Sequence, residues 1–177
     1  LQDLLTLQTI ILKKQSYKFD LVYGKELNII KPINKKLYDE IKAKQFKYLE
    51  VKHTTKQPNL IKGFVEDVLI VLPSRARQII KENDVILPRP TPSTDKIVII
   101  PEKYDNQVCS TGFIVIRPKD YDETCLLTSI LKSNIIQKQL FYLQSGSIQP
   151  EISPKDFEKI IIPIPKSKEE KERIINE

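Results

Sequence analysis

Three short apolar runs in the middle of the chain decide its fold: Val85-Ile86-Leu87, Ile97-Val98-Ile99-Ile100 and Phe113-Ile114-Val115-Ile116. Their β-branched residues fit the pleated surface of a sheet better than they fit a helix. A proline follows the end of each run by one or two residues, and proline cannot donate a hydrogen bond to a sheet ladder. The pattern therefore predicts three short strands separated by loops.

Upstream of these runs, the spacing of apolar residues predicts five more elements. A helix is expected over 1–14, a strand within 19–30 and a short helix over 32–44. A half-buried strand begins at Phe46, and a fully buried strand is expected over 68–72. The chain thus changes from mainly helical to mainly strand patterns near Phe46.

Downstream of the runs, the patterns are mainly helical. Apolar residues recur at three- and four-residue spacing over 121–143, which predicts one long helix capped by Gly146. Ser153, with a proline after it and an acid three residues on, opens a short helix, and Ser167 opens a polar helix that continues to the end of the sequence. A strand over 160–162 is predicted between these two helices.

The order of these elements predicts the fold class. Because the strands gather in the middle of the chain and do not alternate with helices, we expect an α+β fold with a mixed, short-stranded sheet and a long packed helix. Residues 1–165 are expected to form one domain, with the helix over 1–14 either packing on it or belonging to a preceding region, and 166–177 are expected to begin a further helix. The sequence contains no methionine, so we expect it to be part of a longer polypeptide.

Positive charge is concentrated between Lys31 and Lys62. This segment holds nine lysines and three acidic residues, so it alone accounts for the formal net charge of +6 of the whole chain. A second segment, 126–150, has no acidic residue. Concentrated positive charge attracts polyanions through counterion release, although a lysine-rich face that meets only solvent gives the same pattern. Charge alone therefore suggests a nucleic acid partner without establishing one.

Several functional classes are disfavoured by the composition. No apolar run approaches the ~18 residues of a membrane-spanning helix, and the first residues do not resemble a secretory leader, so a cytoplasmic protein is expected. Two cysteines, Cys109 and Cys125, are too few for a zinc site or a disulfide scaffold. Four glycines leave little room for a phosphate-binding loop, and His53 is the only histidine. We therefore expect neither a metal nor a cofactor.

Three stretches in the second half of the sequence carry a family resemblance. They are Asn83 to Pro90 with Lys96 to Ile100, then Cys109 to Pro118, and finally Ser145 to Ser153 with the helix and strand that follow. In this order and spacing they resemble the target-recognition domains of type I restriction-modification specificity subunits. Similar domains end some fused adenine-specific DNA methyltransferases. Lys166 to Glu177 resembles the start of the spacer helix of such subunits.

The resemblance implies sequence-specific recognition of double-stranded DNA without catalysis. Specificity subunits of this family hold two recognition domains, each of which reads half of a split site, and their long helices dock the modification (methyltransferase) and restriction subunits. One such domain is found here, so a second recognition domain or a dimer of a single-domain relative is implied.

Three alternatives remain open from the sequence. The chain could be the recognition domain of a fused adenine-specific methyltransferase, or a structural module that binds an acidic protein. A metal-dependent nuclease is a further alternative, because it would need clustered carboxylates and Glu66, Asp67 and Asp84 precede apolar runs. These acids lack a following lysine at a convincing spacing, so the nuclease is the weakest of the three.

Candidate DNA-contacting residues fall into groups by chemistry, because recognition needs phosphate contacts for register and side chains that reach base edges. The predicted phosphate contacts are Lys44, Lys47, Lys52, Lys56 and Lys62. The predicted base-edge contacts are His53, Thr54, Gln57, Arg89, Thr91, Ser93 and Thr94, with Lys96 in the same loop region. Arg75 and Arg77 are predicted to contact guanine through their bidentate forks. Ser147 and Gln149 are predicted to face the DNA backbone.

Overall fold

A computed structural model of the chain describes residues 2–15, 19–56 and 60–176. Its helices are α1 (Gln2–Gln15), α2 (Lys35–Ile41), α3 (Tyr121–Lys132), α4 (Asn134–Leu143), α5 (Pro154–Phe157) and α6 (Lys168–Asn176). Its strands are β1 (Phe19–Tyr23), β2 (Gln45–Leu49), β3 (Val65–Val68), β4 (Ala76–Ile80), β5 (Val85–Pro88), β6 (Val98–Ile99), β7 (Gln107–Ser110), β8 (Phe113–Ile116) and β9 (Ile161–Pro165). This order confirms the predicted α+β class.

The strands of the described ranges form three small sheets. β1 and β9 pair with each other in an antiparallel two-stranded sheet. We call the three-stranded antiparallel sheet β6-β5-β8 the inner sheet, and the four-stranded sheet β3-β2-β7-β4 the outer sheet. In the outer sheet β2 and β7 run parallel while the other pairs run antiparallel, so this sheet is mixed, as predicted.

Alternating side chains on β5 place the inner sheet between two apolar layers. Val85 and Leu87 belong to the cluster that includes Leu131 and other residues of α3 and α4. Ile86, between them in sequence, belongs instead to the cluster that includes Leu49 of the outer sheet. Successive strand residues point to opposite faces, so this single strand joins the helical layer to the outer sheet.

The outer sheet repeats the same alternation on its far side. Leu49 packs toward the inner sheet, whereas the neighbouring Tyr48 is fully buried with Ile41 of α2. The layers therefore follow the order α3 and α4, inner sheet, outer sheet, α2. The inner and outer sheets are each stabilised by an apolar layer on both faces.

Two predicted helix starts are confirmed by their side-chain caps. The Ser153 hydroxyl accepts a hydrogen bond from the Asp156 backbone N–H at 3.0 Å, and the Ser167 hydroxyl accepts one from Glu170 at 3.1 Å. Each bond satisfies an amide that has no partner within the first turn of the helix. These caps fix where α5 and α6 begin.

The long helix predicted over 121–143 is wrong, because the chain breaks at Ser133 into α3 and α4. Ser133 has an extended backbone (φ −61°, ψ 148°) and ends one helix while it precedes the next. The Gln137 side chain donates a hydrogen bond to the Leu131 carbonyl at 2.9 Å. This carbonyl at the end of α3 therefore has a hydrogen-bond partner despite the break. Gly146 does not cap α4, since Gln144 occupies that position. The apolar spacing continues through the break, so it did not reveal the break.

The buried strand predicted over 68–72 is also wrong. β3 ends at Val68, and the next four residues form a turn in which the Val71 and Leu72 amides donate to the Val68 carbonyl. Leu69 is fully buried, whereas Ile70 is 59% and Val71 is 63% exposed. A continuous apolar run does not distinguish a strand from a compact turn whose alternate residues point inward.

None of the helices within the described ranges is both long and apolar enough to cross a membrane.

Candidate nucleic-acid interface

Strand pairing in the outer sheet brings several loops to one end of the molecule. Ala76, the first residue of β4, pairs with Ser110, the last residue of β7. Leu49, the last residue of β2, pairs in parallel with Cys109 of β7. The segment after β2, the segment before β4 and the segment after β7 therefore leave the sheet at the same end.

The inner sheet adds its loops to this end through the tight β7–β8 turn. The Thr111 amide donates to the Arg75 carbonyl at 2.9 Å, which joins the turn to the segment before β4. The Arg89 amide donates to the Gly112 carbonyl at 2.9 Å, which joins the turn to the segment after β5. We call this end of the molecule the loop end, and it comprises residues 50–56, 60–62, 73–75, 89–96, 111–112 and 145–151.

The guanidinium of Arg89 links three parts of the loop end. Its Nε donates to the Ile152 carbonyl at 2.9 Å and its Nη1 to the Thr111 carbonyl at 2.8 Å, while Nη2 forms an ion pair with Glu151. The side chain is only 18% exposed. Each of the three guanidinium nitrogens already donates one hydrogen bond within the protein, so in this structure Arg89 does not present a free fork to a base edge, the role predicted for it.

Residues Ser145–Glu151 form a small hairpin that we call the tip hairpin. Reciprocal backbone hydrogen bonds of 3.1 and 3.0 Å between Ser145 and Glu151 close it. Gly146 has a φ of +109°, and a Cβ on it would lie 2.9 Å from the Gln149 carbonyl oxygen, so only glycine fits without strain. Ile148 is 96% exposed, so the hairpin presents a large apolar side chain to solvent.

The loop over 89–96 supports the tip hairpin and turns part of itself inward. The Thr91 amide donates to the Pro150 carbonyl at 3.0 Å. Thr94 is 7% exposed, and its hydroxyl donates to the Gln137 side chain of α4 at 3.0 Å, so this predicted base contact faces the core. Ser93 is half-buried and its carbonyl accepts from the amide of Lys96, which is also half-buried. Ser93 therefore stays partly open to solvent, whereas the hydroxyl of Thr91, another predicted base contact, is buried.

The 3-10 helix Val51–His53 lies beside the β7–β8 turn, because a Cβ on Gly112 would be 3.4 Å from a methyl group of Val51. Lys52 is exposed and pairs with Glu50 at 3.0 Å. The Nδ1 atom of His53 accepts a hydrogen bond from the Glu50 amide at 3.1 Å. Burial, and then the charge of Lys52, lower the pKa of His53. His53 is therefore held as a neutral acceptor at pH 7.

The segment after this 3-10 helix folds back on itself. Thr54 is 4% exposed and donates to the Val51 carbonyl, so it does not face outward as predicted. The Lys62 amide donates to the His53 carbonyl at 2.8 Å, which places the exposed Lys62 beside His53. Lys56 pairs with Asp95 at 2.6 Å and so ties this segment to the loop over 89–96. The predicted contact Gln57 lies outside the described residues.

The predicted phosphate contacts do not share one surface. Lys44 precedes β2 and so lies at the opposite end of that strand from Glu50, about 20 Å away at the usual rise per residue. Lys47 is paired across the sheet with Glu66, and its Nζ lies 5.3 Å from the centre of the Phe64 ring. Lys52, Lys56 and Lys62 remain at the loop end.

The two arginines predicted to contact guanine differ in their surroundings. The guanidinium of Arg77 lies 3.9 Å from the ring centre of Tyr38 in α2, which is a packing contact. Arg75 is exposed at the loop end, and it forms no salt bridge with any carboxylate of the described ranges. Arg75 is therefore the arginine best placed to offer a fork to a ligand.

Sequence reasoning missed the two residues that define the centre and the tip of this end. Thr111 contacts both Arg75 and Arg89 through its backbone, and with Lys31 and Gln78 it lines a cavity of about 160 Å³. Ile148 stands at the tip hairpin. The acid-free character of 126–150 was the available signal for Ile148, whereas the position of Thr111 depends on pairing between distant strands.

Asp84, one of the three acids named for the nuclease alternative, takes part in a structural contact. Asp84 is fully buried and accepts hydrogen bonds from Nε and Nη2 of Arg117, both at 2.8 Å. This contact raises the pKa of Arg117. The search of the described ranges for three or more His, Cys, Asp or Glu residues that could hold a metal gave no group.

Comparisons with known proteins place this arrangement in a family. The model of the type I restriction modification DNA specificity domain matches residues 77–176. The HsdS subunit from Thermoanaerobacter tengcongensis is similar to 92% of the chain, with 27% identity and a TM-score of 0.73. A structure described as showing complex assembly and conformational transition of the type I R-M system is similar over 92% of the chain, with 25% identity and a TM-score of 0.77.

A third structure shares the fold alone. It is the type I restriction-modification S subunit from M. genitalium, which is 15% identical over 89% of the chain, with a TM-score of 0.55 and 37% of its own length covered. The chain spans 42% of the length of each of the first two structures. A search of curated protein sequences gave no match. The family model covers more than half of the 177 residues, and the chain therefore belongs to the type I restriction-modification DNA specificity domain family.

Proposed function

We propose that this chain recognises a sequence in double-stranded DNA through its loop end. The observation that carries the proposal is the convergence of loops from both sheets at one end, in a chain of the specificity domain family. Loops that a rigid scaffold holds are the usual carriers of binding residues. The two sheets and the helices on either side supply that scaffold.

Phosphate contacts and base contacts come from different residues of the loop end. Lys52 and Lys62 carry exposed ammonium groups that suit phosphate oxygens. Arg75 supplies a fork for guanine, and neutral His53 supplies a polar group at the same end of the molecule. Ser93, Ser147 and Gln149 add hydroxyl and amide groups on residues that are at least partly open to solvent. In this proposal Arg89, Thr94 and Thr54 position the loops and do not touch DNA.

The chain acts by recognition, and chemistry is carried out by other subunits. We infer that it forms part of a specificity subunit that directs methyltransferase (modification) and endonuclease (restriction) subunits to the target. A second recognition domain, in the same subunit or in a second copy, reads the other half of the site. The similarity to a structure of type I R-M complex assembly supports these partners.

The test uses the full-length specificity protein together with its modification subunit. Selection from a library of randomised DNA duplexes should enrich one motif, and the same motif should be methylated at adenine in the source genome. Arg75→Ala should relax the enriched motif at one position. Enrichment of no motif by the wild-type complex would contradict the proposed function.

A further inference from the structure

We propose that the tip hairpin enters the major groove of the bound duplex and that Ile148 contacts the methyl group of a thymine there. Arg89 is the positioning residue that holds the hairpin in place. This inference rests on the proposed function and deepens it, because it assigns an apolar base contact and the residue that orients it.

The exposure of Ile148 is the first observation. At 96% exposed it is the most exposed of the large hydrophobic side chains within the described ranges. A single exposed apolar residue is common on protein surfaces. Ile148, however, lies on a closed hairpin between Gly146 and Pro150. The acidic residue of the tip hairpin, Glu151, is paired with Arg89. An apolar tip without free negative charge suits close approach to DNA.

The position of the hairpin is the second observation. Its Pro150 carbonyl accepts from Thr91, and Arg89 joins it to Thr111, whose amide donates to the Arg75 carbonyl. These hydrogen bonds therefore link the backbone of the tip hairpin, through the loop over 89–96 and Thr111, to the backbone of Arg75. We therefore expect a duplex that contacts Arg75 and Lys52 at the loop end to contact the tip hairpin as well.

The width of the hairpin selects the groove. The major groove of B-DNA is about 12 Å wide and admits a two-stranded ribbon, whereas the minor groove is about 6 Å wide. The apolar feature of the major groove is the C5-methyl group of thymine, which apolar side chains contact. Ile148 therefore fits a thymine in the major groove.

Arg89 matters because the hairpin is anchored at its base. The fork holds the Ile152 carbonyl, the Thr111 carbonyl and the Glu151 carboxylate at once. Fixing a loop in its bound conformation before the ligand arrives reduces the entropy lost on binding. Loss of Arg89 should leave Ile148 in the chain but no longer held against one base pair.

The experiment measures binding of the full-length specificity protein with its modification subunit to the selected duplex. Each thymine in the motif is replaced in turn by deoxyuridine, which removes only the methyl group. At one thymine we expect the wild-type affinity to fall about fourfold, equivalent to about 0.8 kcal/mol for one buried methyl group. Ile148→Ala should bind the thymine duplex about tenfold more weakly and should not distinguish thymine from deoxyuridine there.

Ile70→Ala is the matched control, since Ile70 is 59% exposed on the turn after β3, at the other end of β2 from Val51. It should behave as the wild type at every position. The inference is overturned if Ile148→Ala keeps the wild-type affinity and the wild-type response to every deoxyuridine, or if no thymine replacement affects the wild type. Unchanged DNA binding with weaker binding of the modification subunit would also overturn it and would assign Ile148 to a protein contact.

The role of Arg89 needs a readout that a purely structural residue would not change. Arg89→Ala should abolish discrimination at the same thymine, and the double variant with Ile148→Ala should lose no more there than Ile148→Ala alone. Glu151→Gln, which keeps an acceptor oxygen for Arg89 but loses the charge, should retain only part of the discrimination and serves as the test if Arg89→Ala does not fold. Equal loss of affinity for all sequences, with the thymine preference intact, would overturn the positioning role.

Failure of this inference can be told apart from failure of the proposed function. If the wild-type complex enriches a motif that does not depend on Ile148, only the thymine contact is wrong. If it enriches no motif, the proposed function itself fails.

Discussion

At the start of β5 the carboxylate of Asp84 is fully buried and accepts two hydrogen bonds from Arg117 and one from the Lys81 amide, all at 2.8 Å. At the other end of the same strand, the chain enters the loop end, where Arg75 and the tip hairpin face solvent. Both ends are rich in polar groups. At the first end these polar groups form hydrogen bonds with one another, whereas at the second end many remain available for hydrogen bonds with a ligand.

The difference shows that residue type alone does not assign a role to an arginine. Arg117 pairs with a buried acid, Arg77 lies on a tyrosine ring, and Arg89 anchors a hairpin. Arg75 faces solvent. The end of the molecule at which each residue lies, and what its fork already holds, separates stabilising arginines from the one that suits DNA.

The largest expected effect comes from breaking the buried pair. Asp84→Ala should lower the free energy of unfolding by about 3 kcal/mol, because it leaves the Arg117 guanidinium without its buried partner. Chemical denaturation of the full-length protein measures this change. Glu82→Ala, at an exposed neighbouring side chain, should change stability by less than about 0.5 kcal/mol. Similar losses in both variants would show that the Asp84 pair adds no particular stability.

The next effect separates Arg75 from Arg77. Arg75→Ala should cost about 1–3 kcal/mol of discrimination at one base pair and leave stability nearly unchanged. Arg77→Ala should instead lose about 0.5–1 kcal/mol of stability with its ring contact and leave the selected motif unchanged. Duplex selection and thermal unfolding of both variants measure the two properties. A uniform loss of affinity for all duplexes in Arg75→Ala would assign this residue to phosphate.

The predicted phosphate contacts lie at two ends of β2, and this separation of Lys62 from Lys44 predicts a smaller, salt-dependent effect. Lys62→Ala should reduce the slope of log affinity against log salt by about 0.9, the value for one phosphate contact on B-DNA. Lys44→Ala serves as the control, because Lys44 lies at the far end of β2 and its loss should leave the slope unchanged. Binding titrations at several salt concentrations check both values. Equal slopes in the two variants would contradict the assignment of Lys62, and not Lys44, to a phosphate contact.

The smallest effect concerns the pH dependence contributed by His53. Because the folded state lowers its pKa below the ordinary 6.5, the unfolded state takes up the proton more readily. The contribution of neutral His53 to folding stability is therefore fully present above about pH 6.5, and it is lost as the pH falls through the lowered pKa of His53. His53→Gln should lose less stability than the wild type between pH 7.5 and pH 5.5, as measured by denaturation. Since His53 is the only histidine, a wild-type pH response in this variant would refute the assignment.

The sequence predicted best those elements whose own residues specify them. β5, β6 and β8 coincide with β-branched runs, and the serine caps of α5 and α6 are local signals. β4 and β7 were not predicted, because β4 carries Arg77 and Gln78 in its middle and β7 is short. β4 also has an irregular register between Ala76 and Gln78. These strands are stabilised by partners distant in sequence, which no local pattern reveals.

The same reasoning explains what was predicted of the site. The loops that carry Arg75, Arg89 and Ser147 were identified as candidates from their polar residues. Their meeting at one end depends on the pairing of β4 with β7 and on the hydrogen bonds of the β7–β8 turn and the tip hairpin, which sequence periodicity does not encode. The lysine-rich segment was treated as one surface, but α2, β2 and the following 3-10 helix spread its residues over both ends of a strand. The DNA-contact assignments themselves stay predictions.

The pairing of β1 with β9 gives this architecture a modular character. Phe19 lies opposite Pro165 and Tyr23 opposite Ile161, so the chain enters and leaves the stretch 24–160 at neighbouring points, about 5 Å apart across the ladder. Every residue that we assign to DNA lies within that stretch. Exchange of this one continuous segment for another with different loops would change the DNA sequence that is bound while the flanking helices kept their spacing, so new targets could arise by cassette replacement.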